Sequence, residues 1–413
     1  MAHSEKHFIL HCSLIDGIGP VAVQQVLPLL ATFSVTDLYT FTVTDFVHNR
    51  CSVATAQKLV KGLADSSLLE KELAAIEKRT ISWTVFDAPD YPPLLATIYA
   101  PPPVLYWYGR SPHEYTKNLA IVGSRQANEY AQRVITTIVE QAVAHDIAIV
   151  SGGALGADTM AHKQAVHAQG NTIVVLGSGL AHLFPTSNIR LFNHIAQNGG
   201  TVLSIFPINL LGFAGNFPAR NRVIAGLSQV TVVVQAAHKS GALITANYAL
   251  DQGREVMAVP GPIDNPLHDG CHTLIQQGAG LVHTASDILV HFGIEKSIPI
   301  QQPAKQIEEQ SLIKELPQKI EQTLPQKTSA IFVSKEKKIA TASVSNEKKV
   351  PVTLSLTEMQ KSIMDACKNP CTIDELSTRT SLPISSLYAE VLTLQMQALL
   401  IEDFAGRLSA VAL

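Results

Sequence analysis

The chain has 413 residues, of which 46% are hydrophobic and 16% charged, and its formal net charge is −3. This length exceeds what one hydrophobic core accommodates, and the near-neutral charge excludes a uniformly basic surface, so any site for a polyanion must be local. No apolar run is long enough for a transmembrane helix and the first residues do not resemble a signal peptide, so we expect a cytoplasmic protein with no membrane contact.

Residues 1–80 have a helical pattern. Apolar positions from Phe8 to Ile15 are followed by Gly-Ile-Gly-Pro at 17–20 and by a second apolar run at 21–30. Two helices joined by a Gly-x-Gly turn are typical of a helix-hairpin-helix, whose turn amides can face a phosphate, and also of a plain corner between helices. The pattern predicts a small helical domain and leaves both interpretations of the turn open.

Residues 81–294 are expected to form a second domain. Proline clusters at 91–93 and 100–103 predict an irregular connector that leads into a strand at 104–109. Beyond it, short apolar and β-branched runs alternate with helix-length segments, which is typical of strands buried on both faces of a mainly parallel, doubly wound α/β sheet. The predicted strands are 119–122, 148–151, 172–176, 201–205, 230–235, 255–259 and 281–283.

The C-terminal part contains a predicted linker and a predicted third domain. Residues 295–351 are rich in Lys, Glu, Gln, Ser and Thr, which predicts a flexible linker. Residues 352–413 have the order of a winged helix. Its predicted elements are helices at 356–367, 372–380 and 386–399 and a hairpin at 401–408. The third helix carries no Lys or Arg, which favours a structural or protein-contacting role over duplex binding.

Six successive predicted strands end in loops that carry glycine, serine or a cation. The carboxyl ends of parallel strands meet at one edge of a sheet, where the ligand crevice of such folds lies. Glycines let backbone amides approach a phosphate, helix N-termini favour anions, and arginine adds a bidentate donor. The predicted binding residues are Gly123, Ser124, Arg125, Ser151, Gly152, Gly153, Gly177, Phe217, Arg220, Asn221, Arg222, Lys239, Ser240 and Gly241.

Together these residues predict a long groove for a polyanion with several phosphates. Four cations are expected to converge on it, namely Arg125, Arg220, Arg222 and Lys239. Phe217 is expected to offer an aromatic face to a base.

The sequence offers no arrangement typical of catalysis. No nucleophile–base pattern, P-loop or metal-ligand spacing stands out, and the five scattered cysteines are expected to be free thiols. Asp158 is expected to brace a loop or cap a helix, and His162 to pack rather than act as a base. Acidic residues are scarce in the strand-end loops, which disfavours a magnesium-dependent phosphoryl transferase. We therefore expect binding without catalytic residues, cofactor or metal.

Several blocks of the chain resemble the DNA-processing protein A (DprA/Smf) family. These blocks are AIVGSR at 120–125, SGGALGADTMAH at 151–162, FPARNRVIAGLS at 217–228, SGALITANYALDQGREVMAVPG at 240–261 and GCHTLIQQGA at 270–279. The resemblance implies an extended Rossmann-like fold that dimerises and binds single-stranded DNA. It also implies that the protein loads a RecA-type recombinase onto incoming strands during natural transformation and helps displace single-strand-binding protein.

The resemblance implies roles for particular residues and also shows departures. The family's binding residues correspond to Gly123, Ser124, Arg125, Phe217, Arg220, Arg222 and Lys239. The family usually has Leu, Arg and Ile where this chain has Gly153, Leu155 and Ala157, and the missing cation at 155 predicts a weaker groove. Two positions where the family usually has an acid are Ile205 and Gln235. Those acids are expected to be structural.

The sequence thus predicts a recombination mediator that binds and protects single-stranded DNA, and not an enzyme. The alternative is a nucleotide-binding or nucleoside-monophosphate-hydrolysing Rossmann-like enzyme. Related enzymes use a Pro-Gly-Gly-x-Gly-Thr loop followed by Glu, which the segment 259–262 does not supply. A further alternative is a scaffold whose winged helix reads duplex DNA. The expected partners are single-stranded DNA, a RecA-type recombinase, single-strand-binding protein and a second copy of the chain.

Overall fold

The computed structural model of the chain describes residues 4–295, 357–380, 382, 387, 390, 391, 394, 399–402 and 408–410. The chain divides into two compact units, residues 1–308 and 309–413. The predicted linker lies outside the described residues, except for residue 295. Among the described residues, no helix has the length and apolar character needed to cross a membrane.

The N-terminal region is helical, as predicted. Its helices are α1 (Glu5–Leu14), α2 (Pro20–Val26), α3 (Val35–Thr40), α4 (Val43–His48), α5 (Val53–Leu63) and α6 (Ser66–Arg79). Ser34 and Thr42 start α3 and α4 with capping boxes, in which each side chain exchanges hydrogen bonds with Asp37 or Asp45. Between α1 and α2, the carbonyl oxygen of Gly17 accepts a hydrogen bond from the Lys58 ammonium at 3.3 Å.

A nine-stranded sheet follows. Its strands are β1 (Ser82–Val85), β2 (Val104–Gly109), β3 (Asn118–Val122), β4 (Ala148–Ser151), β5 (Thr172–Leu176), β6 (Thr201–Ser204), β7 (Val230–Val233), β8 (Glu255–Ala258) and β9 (Gly280–Leu281). Their spatial order is β1-β2-β6-β5-β4-β3-β7-β8-β9. The strands from β3 to β9 are parallel, and β2 is antiparallel to both β1 and β6. The seven predicted parallel strands are confirmed, whereas β1 falls in the segment that was expected to be irregular.

Helices cover both faces of this sheet. They are α7 (Pro93–Ala96), α8 (Glu129–Val143), α9 (Ala157–His167), α10 (Ile189–Gln197), α11 (Asn216–Gly226), α12 (Gly241–Asp251), α13 (Asp269–Gln276) and α14 (Ala285–Leu289). Alternate residues of β3 serve the two faces: Leu119 and Ile121 belong to a core with α8 and α9, and Ala120 and Val122 to a core with α11 and α12. The predicted doubly wound architecture is thereby confirmed.

The N-terminal helices share one core with the sheet. Phe8 of α1 lies in the same buried cluster as Tyr106 of β2 and Leu176 of β5. The carboxylate of Glu72 on α6 is buried and accepts a hydrogen bond from the backbone N–H of Ile208 at 2.8 Å. Burial raises the pKa of Glu72, and the bond from Ile208 opposes that rise. The helical region is therefore fastened to the loop that follows β6.

The order of the strands fixes where a ligand can bind. From β3 to β6 the chain winds outward in one direction, and β7 then returns to the other side of β3. Such a reversal opens a crevice at the carboxyl ends of the central strands, because the loops after them diverge to opposite faces. The strand order therefore predicts a ligand site at the loops after β3, β4 and β7.

The second unit is described in part. Its elements are α15 (Glu358–Ala366), α16 (Ile373–Thr380) and the antiparallel strands β10 (Leu400–Glu402) and β11 (Leu408–Ala410). These elements agree with the first two predicted helices and with the strands of the predicted hairpin. Most of the third predicted helix, 386–399, and the hairpin turn at 403–407 lie outside the described residues. The winged helix therefore stays a prediction.

Candidate nucleic-acid interface

A groove of about 520 Å³ lies at the carboxyl edge of the sheet, beside the ends of β3 and β7. A smaller pocket of about 100 Å³ adjoins it, and both are lined by Arg125, Ala154, Phe217 and Arg220. Eleven of the fourteen predicted binding residues line one or both. They are Gly123, Ser124, Arg125, Gly152, Gly177, Phe217, Arg220, Asn221, Lys239, Ser240 and Gly241.

The loop between β3 and α8 forms one wall of the groove. A Cβ atom at Gly123 would lie 2.8 Å from the Cβ of Ala157 and 3.1 Å from the carbonyl oxygen of Gln235, so only glycine lets the chain pass here without a shift. The backbone N–H of Ser124 donates to that same Gln235 oxygen at 2.6 Å. The Ser124 hydroxyl accepts a hydrogen bond from the N–H two residues later. The turn thus presents Arg125 to solvent.

The opposite wall comes from the loop that precedes α12. Lys239 is exposed, and the Ser240 side chain caps the helix by accepting from the N–H of Ala242 at 3.3 Å. A side chain at Gly241 would meet nothing within 4 Å, so this position faces open space. The amide of Asn221 on α11 donates to the Gly241 carbonyl at 3.5 Å and closes this side.

An aromatic ring lies close to two guanidinium groups. The ring centre of Phe217 is 5.5 Å from the guanidinium carbon of Arg125 and 5.6 Å from that of Arg220. The ring lies beside Gly177, which follows β5, where a Cβ atom would approach it to 3.0 Å. Cations at this distance attract the ring face, so the ring and the exposed Arg125 support each other's position.

Arg220 is buried beneath the groove instead of forming part of an exposed cation track. Its side chain is 5% exposed and donates to the carbonyl oxygens of Gly152 and of Val175, the latter at 2.9 Å. These carbonyls lie at the ends of β4 and β5, where the ladder no longer supplies donors. The guanidinium therefore joins two strand ends and forms the floor of the site.

A buried carboxylate compensates this charge. Burial lowers the pKa of Arg220 to about 10, Asp158 opposes that change and the Arg125 charge adds to it. Burial likewise raises the pKa of Asp158, and Arg220 opposes the rise. The Asp158 carboxylate also accepts from the N–H of Ala154 at 3.2 Å, which is the loop-bracing role expected from the sequence.

His162 is packed, as predicted. It is fully buried on α9, and its Nδ1 is 2.7 Å from the hydroxyl oxygen of Thr172. Because that hydroxyl donates to the Ile149 carbonyl, Nδ1 is the donor to it. Burial, reinforced by the Arg220 charge, lowers the pKa of His162 to about 3. The imidazole is therefore neutral at physiological pH.

The structure does not bring Arg222 to the groove. Its Nη1 donates to the carbonyl oxygens of Tyr99 at 2.7 Å and of Ala100 at 2.6 Å, in the proline-rich connector. Unlike its neighbours Arg220 and Asn221, it does not line the groove. Arg222 therefore fastens α11 to the connector.

Two other predicted residues lie behind the lining. The hydroxyl of Ser151 is buried and donates to the carbonyl oxygen of Ile121 at 2.6 Å, which joins β4 to β3. Gly153 adopts a φ of 67°, a conformation that side chains rarely tolerate, and a Cβ there would lie 2.8 Å from Val174. Both residues shape the loop and do not face the groove.

Sequence reasoning missed part of the apolar lining. Leu155 and Phe184 are 51% and 57% exposed and line the smaller pocket together with Pro185 and Gly212. The Phe-Pro pair after the third parallel strand was visible in the sequence, and an aromatic residue in a strand-end loop was the available signal. Leu155 occupies the position where the resemblance leads one to expect arginine, so this wall is apolar.

The arrangement can bind an anion and an aromatic group side by side. Arg125 and Lys239 supply exposed positive charge from two different loops, and Phe217 supplies a half-buried ring in the same groove. Among the residues described by the structure, no group of three or more His, Cys, Asp or Glu side chains could hold a metal ion.

The chain is similar to known proteins over most of its length. Residues 82–293 match the model of the family described as DNA recombination-mediator protein A. Protein Smf of Synechocystis sp. is 31% identical over 98% of this chain and 98% of its own length. The structure of DNA processing protein A from Streptococcus pneumoniae is 30% identical, covers 70% of this chain and 98% of that chain, and has a TM-score of 0.60.

A structure that concerns the single-stranded DNA binding mode of DNA processing protein A from Helicobacter pylori is 27% identical. It covers 51% of this chain and 95% of that chain, with a TM-score of 0.46. The family match spans all fourteen predicted binding residues, and the Synechocystis relative matches almost the whole chain. The chain therefore belongs to the DNA recombination-mediator protein A family.

Proposed function

We propose that the chain binds single-stranded DNA in the groove at the carboxyl edge of the sheet. The observation that carries this proposal is the exposed Arg125 guanidinium held 5.5 Å from the Phe217 ring, with Lys239 on the opposite wall. Binding of single strands combines cations along the backbone with aromatic faces for unstacked bases, and both are present here. In a duplex the bases are already stacked, and Phe217 would have no partner.

The groups around the groove favour binding without chemistry. Asp158 is buried, is stabilised electrostatically by Arg220 and accepts from a backbone amide, and His162 is buried with a pKa of about 3. A general acid or base needs a pKa near the working pH and access to the substrate, and neither residue has both. This is the reason for preferring a binding protein over a nucleotide-hydrolysing enzyme.

The cellular role that follows is mediation of recombination. In this role the chain protects incoming single strands during natural transformation, loads a RecA-type recombinase onto them and helps displace single-strand-binding protein. A homodimer would hold two grooves on one strand and raise the effective concentration of the second groove. Family membership supports the role, and the groove supports its DNA-binding step.

Fluorescence anisotropy of a labelled poly-dT oligonucleotide over a salt series tests the proposal. Wild type should bind with a steep loss of affinity as salt rises, because phosphate contacts release counterions. Arg125→Ala should bind at least about tenfold more weakly and reduce the salt slope by about 1. Arg133→Ala, which removes an exposed arginine on α8 that does not line the groove, is the matched control and should behave like wild type.

Two results would overturn the assignment. One is absence of binding by wild type, and the other is equal binding by wild type and Arg125→Ala. Release of free base from nucleoside monophosphates by wild type would instead favour the enzymatic alternative. The loading role needs its own assay, in which the chain should speed assembly of a RecA-type recombinase on strands coated with single-strand-binding protein.

A further inference from the structure

One buried residue holds both ends of the loop that carries Arg125. Gln235 follows β7 and has no exposed surface. Its backbone carbonyl accepts from the N–H of Ser124 at 2.6 Å, and its side-chain oxygen accepts from the N–H of Asn128 at 3.2 Å. Arg125 lies between these two attachment points. Asn128 is in turn the N-cap of α8, so the loop and the helix start are fixed together.

The other end of the Gln235 amide fixes its orientation. Its nitrogen lies 3.0 Å from Nε2 of His268, the residue that immediately precedes α13. Since the amide oxygen already accepts from Asn128, the amide nitrogen donates, and Nε2 of His268 must accept. His268 is buried, and burial followed by the neighbouring His272 lowers its pKa, while Asp269 opposes that change. The imidazole therefore stays neutral and keeps its acceptor at neutral pH.

We infer that Gln235 is a positioning residue for single-stranded DNA binding, which acts by holding Arg125 in place against Phe217. The inference rests on the proposed function. A loop fixed before DNA arrives spends less conformational entropy on binding than a loop that DNA must order. Gln235 itself does not line the groove, so its effect has to pass through Arg125.

The opposing interpretation is that Gln235 merely stabilises the fold. Removing the Gln235 side chain leaves the buried Nε2 of His268 without its donor and should lower stability, whereas Asn128 is exposed and water can satisfy its N–H. The loop would nevertheless lose its second attachment. A positioning role therefore predicts that the folded variant binds DNA more weakly. A packing role predicts lower stability with unchanged DNA affinity.

The chain supplies a matched control at the other end of β7. The Gln229 side chain accepts from the N–H of Asn118 at 2.8 Å and donates to the Thr116 carbonyl at 2.7 Å, so it also ties β7 to the β3 segment. It does so at the amino edge, away from the groove. Gln229→Leu should lower stability without changing DNA affinity.

A double-mutant cycle provides the first test. Gln235→Leu should weaken poly-dT binding about three- to tenfold, the range expected when about one hydrogen bond of positioning is lost. In an Arg125→Ala background the same change should have almost no further effect, because the residue through which it acts is gone. Full additivity of the two losses, or wild-type affinity in Gln235→Leu, would overturn the inference. If wild type fails to bind poly-dT, the proposed function itself has failed, which is a distinct result.

Gln235→Glu provides a second test that does not depend on the leucine variant folding. A carboxylate can still accept from Asn128, and it also accepts from His268 once Nε2 of the imidazole carries a proton, in the other neutral tautomer or in the cation. The negative charge favours the imidazolium, and a charged pair holds the side chain more firmly than a neutral donor does, so the variant should bind DNA more tightly near pH 6 than near pH 8. Wild type should show a much smaller change, because it has no carboxylate at this position and burial lowers the pKa of its His268.

His272, Asp269 and Tyr130 also lie near His268 and are the same in both proteins, so their effects cancel in the comparison. Adding His268→Gln to Gln235→Glu should abolish the extra pH dependence. A pH profile of Gln235→Glu that matches wild type, or one that survives His268→Gln, would contradict the mechanism.

Discussion

Arg125 and Phe217 meet across the groove, with the guanidinium carbon 5.5 Å from the ring centre. One residue comes from the loop after β3 and the other from the first turn of α11, about ninety positions later in the chain. Their contact places a positive charge and an aromatic surface where a nucleotide can use both at once. Both groups remain accessible to a ligand, because Arg125 is exposed and Phe217 is only half-buried.

Phe217→Ala should weaken single-stranded DNA binding by about tenfold, because stacking of one base contributes about 1–3 kcal/mol. The loss should shrink on an abasic oligonucleotide of the same length, which keeps the phosphates and lacks the bases. Phe217→Tyr keeps the ring and should bind like wild type. An equal loss on both oligonucleotides would mean that Phe217 supports the groove without stacking a base.

Arg220→Met should lower the free energy of unfolding by about 3–5 kcal/mol, because it leaves the buried Asp158 carboxylate without its cation. It also removes the donors to the strand-end carbonyls of Gly152 and Val175. Urea denaturation measures the loss. The double variant Arg220→Met with Asp158→Asn should recover part of it, and no recovery would show that the carbonyl contacts matter more than the charge pair.

Arg222→Ala should lower stability by about 1–3 kcal/mol, since two carbonyl groups lose a charged donor. At a temperature where the variant is folded, its affinity for single-stranded DNA should stay within about twofold of wild type. Parallel denaturation and anisotropy measurements separate the two effects. A variant that is fully stable and loses affinity would place Arg222 in direct contact with DNA.

His162 predicts an acid-sensitive fold. Its pKa in the folded chain is about 3, below the ordinary value, so the unfolded chain binds a proton as pH falls below about 6.5 while the folded chain does not. The contribution of His162 to stability is therefore lost as pH falls from about 6.5 towards 3. Between pH 7 and pH 5 this loss lowers the free energy of unfolding by about 2 kcal/mol.

The corresponding variant is His162→Gln, which cannot take up this proton. It should be less stable than wild type at neutral pH, because it disturbs the bond to Thr172. Its free energy of unfolding should nevertheless change less between about pH 7 and pH 5. Equal pH slopes for the two proteins, measured by urea denaturation, would contradict the buried neutral histidine.

Much of the site could be predicted because parallel sheets obey simple rules. The apolar run 119–122 predicts a buried strand, and its neighbours in sequence predict others with the same direction. Once the strands are parallel, their carboxyl ends meet, so Gly123, Arg125 and Lys239 had to come close together. Only periodicity and the positions of glycine and serine were needed for that conclusion.

The directions of individual side chains could not be predicted in the same way. Arg220, Asn221 and Arg222 are consecutive on α11, and only packing decides which one faces the strand ends. The unmet carbonyls at the ends of β4 and β5 attract Arg220 inward, and those of the connector hold Arg222 on another side. Strand β1 was missed because its short segment, Ser82–Val85, pairs at the edge of the sheet next to a proline-rich stretch.

The shared core of the helical region and the sheet has a consequence for how the protein can be divided. Tyr106 and Leu176 belong to a buried cluster that α1 helps to form, and the loop at Ile208 depends on Glu72 for a hydrogen-bond partner. A chain shortened to the segment that the family model covers would expose this apolar surface and leave that amide unpaired. We expect such a fragment to aggregate, and the first unit of the full chain to unfold in a single cooperative transition.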